Sequence, residues 1–195
     1  MSEDRTLEWV ISLVTGSITA VTLLYIALGM YQLQVGRLVV EPELSVKIKE
    51  GKAFSSSKRL TVPAGGSVSI IFINKSDKKV KVAATEIDTL GNLDVDIYDN
   101  VQVNTEGNAW NIRNLDLKSD YIIDVTIADG GDYAGGDLVH QTVAHGGTKN
   151  FAIGSLSEVG EGVIVHHKQN IMITLSNSGN ADIKCSVRFV FYEVE

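Results

Sequence analysis

The segment ADGGDYAGGDLVH (128–140) sets Asp129, Asp132 and Asp137 along a glycine-rich stretch. Hard carboxylate oxygens on a flexible loop are what calcium favours, so these three are the metal-ligand candidates. Their spacing departs from the EF-hand pattern, and a long turn with solvated aspartates is the favoured reading of the same residues. Histidines stand at 140, 145, 166 and 167. His166 and His167 are neighbours on an expected strand, where successive side chains face opposite ways, so they cannot share one ion. Surface or hydrogen-bonded histidines are the expectation. No Ser, His and acid set has a nucleophile context such as G-x-S-x-G, and Cys185 lies mid-strand with no motif around it. Asn74-Lys75-Ser76 spells a glycosylation sequon in an expected hairpin turn. The chain reads as a non-enzyme, with no cofactor beyond the calcium candidate.

These residues belong to a chain of 195 with 44% hydrophobic and 21% charged residues, which is ordinary for a folded protein. A net charge of −7 with no basic run longer than Lys58-Arg59 or Lys78-Lys79 excludes a nucleic-acid partner, because phosphate binding needs clustered cations. The single cysteine excludes an intrachain disulfide, so stability must come from the core or from assembly.

Residues 9–30, WVISLVTGSITAVTLLYIALGM, contain no charge. As a helix they would extend roughly 33 Å, enough to cross a bilayer core. Trp9 at one end, and Tyr25 and Tyr31 toward the other, suit the two interfaces. The preceding MSEDRTLE is net acidic, unlike the basic start of a secretory signal, and no A-x-A site follows, so a retained anchor in contact with membrane lipid is expected. Ser12, Thr15, Gly16, Thr19 and Ala20 recur at spacings of three and four, forming a small-residue face suited to helix packing. Arg37, Lys47, Lys49 and Lys52 outnumber Arg5, which by the positive-inside rule favours a cytoplasmic C-terminal side, although long folded domains translocate despite such charges. The layout is a polar tail (1–8), the helix with a short bridge (9–35) and a β domain (36–195), with the domain expected outside the cell or on a virion exterior.

Past residue 36 the pattern changes to period-two alternation in short runs: 44–49, 59–62, 67–73, 79–87, 93–98, 121–127, 162–166, 171–175 and 183–194. Turn residues separate them, at PAGG (63–66), NKSDK (74–78), LGN (90–92), DGG (129–131), HGG (145–147) and NSGN (177–180). So many strands without an amphipathic helix predict an all-β antiparallel sandwich, immunoglobulin-like or jelly-roll. There is an internal echo. VSIIFINKSDKKVKVAA (68–84) and IMITLSNSGNADIKCSV (171–187) align without gaps, with Asn74 and Asn177 coinciding.

The wording VPAGGSVSIIFINKSDKKVKV resembles immunoglobulin-like modules of archaeal and bacterial surface proteins. An apolar N-terminal helix followed directly by a sandwich is similar to the layout of archaeal pilins and archaellins, and of the membrane-anchored sandwich proteins that accompany the archaellum motor. That resemblance implies a helix that bundles with its neighbours and a sandwich that faces outward. MSEDRTLE departs from it, lacking the basic leader and Lys/Arg-Gly junction at which pilins are processed. The expected function is a non-enzymatic structural subunit of a surface filament, cell envelope or membrane-containing virion, a homo-oligomer or docked to other assembly subunits. The alternative is a membrane-anchored ligand-binding or adhesion module that uses calcium.

Overall fold

The structure, a computed structural model, describes residues 43–146, 151–153 and 162–194. The chain divides at Pro42/Glu43 into two units, and the described residues belong to the second. The expected membrane helix and its face of Ser12, Thr15, Gly16, Thr19 and Ala20 lie outside the described residues. Among those described, no helix is long and apolar enough to cross a membrane.

Residues 44–49 correct the sequence reading, being helical and not a strand: α1 spans Glu43–Lys49. ELSVKIK alternates, but its ends favour a helix. Glu43 sits in the first turn and Lys47 and Lys49 in the last, each complementing the helix dipole. Gly51, at φ 68°, closes it. The Lys52 N–H donates to the Lys47 carbonyl and the Gly51 N–H to the Ile48 carbonyl, both at 2.9 Å, the paired bonds of a Schellman ending.

Fourteen strands follow among the described residues: β1 (Ala53–Val62), β2 (Ser67–Asn74), β3 (Lys79–Thr89), β4 (Leu93–Asp99), β5 (Gln102–Thr105), β6 (Asn108–Ala109), β7 (Ile112–Asn114), β8 (Val125–Asp129), β9 (Asp132–Ala134), β10 (Asp137–Ala144), β11 (Phe151–Ile153), β12 (Val163–Val165), β13 (Asn170–Ser176) and β14 (Ile183–Val194). All pair antiparallel. One sheet runs β11-β3-β14-β1-β7 with β12 also on β3, a second runs β10-β4-β13-β2-β8-β6, and β5 and β9 form a separate two-stranded layer. The fold is an all-β sandwich. Its pairing is nested: β1 with β14, β2 with β13, β3 with β12 and β4 with β10, alternating between the two sheets.

The internal echo is a local two-fold relation in which residue n of the first arch, β1-β2-β3, matches residue n + 103 of the second, β12-β13-β14. Val62 pairs with Ile183 as Val165 pairs with Val80, and Ile70 faces Ile173 across the axis. Each arch crosses from one sheet to the other and back. At the second crossing sits a buried asparagine. Asn74 Oδ1 accepts from Ser76 N at 3.0 Å, and its Nδ2 donates to the carbonyls of Lys78 (2.8 Å) and Val165 (2.9 Å). Asn177 repeats this with Gly179 N (2.9 Å), Ala181 O (2.8 Å) and Val62 O (3.2 Å), adding Pro63 O (3.2 Å). A crossing chain leaves the ladder, so its backbone groups need other partners, and one carboxamide supplies both donors and an acceptor. The first crossings match as well: Gly65 at φ 63° and Lys168 at φ 61° hold the same left-handed position in PAGG and HHKQ.

Between the sheets lies one large core. Phe72 meets Phe191 edge-on at 5.2 Å, and Phe54 stacks on Phe191 at 5.9 Å. A second, smaller core lies on the outer face of the second sheet, where Val103 and Tyr133 of the β5-β9 layer meet Ile71, Ile73 and Met172. That explains why IIFI lacks alternation: Ile70 and Phe72 fill one core while Ile71 is buried in the other.

Two further expectations need correction. Of the run 121–127 only Val125 onward is strand. Before it, Asp116, Lys118 and Tyr121 donate their N–H groups to side chains two residues back, local bonds that compete with a ladder. And 128–140 is not one loop: it holds the end of β8, all of β9 and the start of β10, with Gly130, Gly135 and Gly136 at positive φ making the turns between them.

Candidate functional site

The strand turns disperse the three candidate aspartates. Asp129 ends β8, where its Oδ1 takes the Lys58 ammonium and the Trp110 Nε1–H (2.6 Å), closing one side of the sandwich. Asp132 accepts from Asn104 Nδ2 at 3.1 Å within the β5-β9 layer. Asp137 starts β10 and accepts from Asn100 Nδ2 at 3.4 Å. Each has its own partner. Among the described residues, no group of three or more His, Cys, Asp or Glu side chains is placed to hold a metal.

His166 and His167 fall in the turn after β12 and not on a strand. His167 Nδ1 is 2.6 Å from the Ser76 carbonyl, which makes that nitrogen the protonated one, donating across to the opposite arch. The sequon asparagine is the buried Asn74, with both amide hydrogens engaged, so it cannot carry a glycan in the folded domain. Burial also pushes the Cys185 thiol up to about 11, leaving almost no thiolate at neutral pH.

The residues that do converge surround a cavity of about 110 Å³ where β4 and β10 of one sheet approach β12 of the other. Its walls are Ile97, Val139, Val163, Ile164, Val165 and Ile171. Leu93, Val95 and Ile97 are buried on β4, so the inward period of two continues to Asp99, which lines the cavity. Asp99 Oδ1 is enclosed and has no hydrogen-bond partner among the protein atoms. His140 lines the same space from β10, in register with the inward-facing Ile97. Asn170 is tied to Val101 by two 2.9 Å bonds, so the polar floor is fixed rather than free to swing. Asp137 lies opposite Asp99 in the β4-β10 register.

Three of the lining residues, Val139 of β10 and Val163 and Ile164 of β12, are 41–59% exposed, and Leu138 and Val143 are exposed elsewhere on β10. Among the described residues β10 pairs only with β4, so its other edge has no strand partner there. Sequence reasoning set β10 aside as loop because of GGD at its start. The signal for Asp99 was present in LDVDIYD, where the apolar series 93, 95, 97 ends on a carboxylate.

No family model matches this chain, and no curated protein is significantly similar to it.

Proposed function

We propose that the chain is a non-enzymatic structural subunit, anchored by the apolar segment 9–30 and assembled with further copies or other subunits into an envelope, filament or membrane-containing virion. The observation that carries this reading is the β10 edge. Val139 lines one cavity with Val163 and Ile164 of β12, and among the described residues the eight-residue strand has no partner along its other side. Proteins that stay monomeric blunt such edges with lysine, proline or a covering segment, whereas assembling ones use them. The nested order of pairs supports the jelly-roll form of sandwich over the immunoglobulin-like form, and jelly rolls recur in capsid proteins. That is analogy at the level of fold.

The test is mild detergent extraction followed by sedimentation and electron microscopy, with Val139→Lys as the edge variant. The proposal expects ordered oligomers for the parent and their loss in the variant at unchanged melting temperature. A parent that is strictly monomeric at high concentration would sink it. The anchor is tested separately: residues 9–30 should hold the chain in membranes through alkaline carbonate washing.

A further inference from the structure

We infer that the cavity between β4, β10 and β12 is a socket for a primary alkylammonium group, either a free amine or the lysine side chain of a second copy. Three features point to that chemistry. A carboxylate oxygen shut away from solvent without a protein partner is costly, and a donor bearing positive charge is its best complement. Six of the eleven lining residues are aliphatic and accept a methylene stem, while the polar Asn100, Gln169 and Asn170 are already bonded to Asp137, His166 and Val101. The size is also selective. A dry cavity of about 150 Å³ admits a benzene ring, so a space of about 110 Å³ fits a slim chain of four or five heavy atoms better than a ring.

The surroundings fit a cationic guest. Asp137 stands across from Asp99 in the β4-β10 register. These two carboxylates share one end of the β4-β10 pair and favour a cation there. Lysine is an apt guest because its stem can lie on apolar walls while its ammonium meets a carboxylate. The socket does not depend on the assembly reading, since an amine can bind to a monomer.

The experiment uses the whole chain in detergent, titrated with n-butylammonium and, separately, with n-butanol, and followed by amide chemical shifts of Ile97, His140 and Val165. Saturable millimolar binding of the ammonium, at least tenfold tighter than the alcohol, is expected. Asp99→Asn should abolish that preference while leaving alcohol binding in place. Should Asp99→Asn fail to fold, Val139→Ala, at an exposed wall residue, serves instead and should weaken ammonium binding several-fold at unchanged melting temperature. A parent showing no saturable shift, or binding both probes equally, overturns the inference and leaves a hydration site only. Sedimentation with saturating n-butylammonium separates the two sources. Loss of oligomers supports a lysine from a second copy, and amine binding with oligomers unchanged supports a free amine.

Discussion

The two arches solve one problem with different residues. Each carries the chain across the sandwich and back, and each satisfies the second crossing with a buried asparagine that bonds two residues ahead, four residues ahead and onto the opposite arch. Their first turns share little wording, PAGG against HHKQ, yet hold the same backbone, down to a left-handed third residue. Geometry is retained where a buried polar group would otherwise be orphaned, and composition drifts where water supplies the partners. The match ends beyond the crossings. β3 carries an extra residue at Ala83 relative to β14, which shifts the inward set to Thr85 and Ile87.

If the asparagines are equivalent in energy as well as geometry, Asn74→Ala and Asn177→Ala should each cost about 3 kcal/mol, because each strands several buried carbonyls. Urea midpoints would fall together at constant m. A cost confined to one arch would break the comparison and mark the other crossing as loosely held. The left-handed positions provide a sharper exchange. Lys168→Gly should stabilise by up to about 1 kcal/mol, and Gly65→Lys should destabilise by about the same. A Cβ at Gly65 would meet nothing within 4 Å, so the effect there is one of backbone alone.

Cys185 corresponds to Val82, and both are buried. Cys185→Val should therefore change stability by less than about 1 kcal/mol, the cost of a near-isosteric apolar exchange. The raised thiol pKa predicts that iodoacetamide at pH 8 labels the parent only after unfolding.

The smallest effect concerns Glu43, which has no counterpart in the other arch. Tyr192 OH donates to it at 2.7 Å and the Lys81 ammonium lies at 3.1 Å, tying α1 to β14 and β3. The Tyr192 hydrogen bond, ahead of the Lys81 interactions, holds the Glu43 carboxyl below its ordinary 4.5. A depressed carboxyl contributes stability above its unfolded pKa and loses it as pH falls through the folded value. Thermal melts of the parent should thus decline slightly faster below pH 4.5 than those of Glu43→Gln, by a margin reduced by solvent screening.

The long, half-buried strands were legible because one face of each meets the core: 67–73, 79–87, 93–98, 171–175 and 183–194 all lie within observed strands. So was the echo that marked both crossings. QVNT, NA and IRN were invisible because they hold edge or outer-layer positions, half-buried at most, where no alternation is imposed. ELSVKIK misled because its alternation is real while its end residues decide the conformation. The aspartates of 128–140 looked like a cluster in one dimension, but the turns at Gly130 and Gly135-Gly136 send them to three separate places. Asp99 was overlooked for the opposite reason. A lone carboxylate ending an apolar series gains meaning only when another strand closes over it.

The central place of β14, between β3 and β1, has a bearing on biosynthesis. Until residues 183–194 leave the ribosome, the first sheet lacks its middle, and among the described residues β1 has only the three-residue β7 beside it. Pairings so distant along the chain form slowly. Residues 9–30 leave the ribosome long before, so if they are the anchor proposed above, insertion precedes the closing of the sandwich.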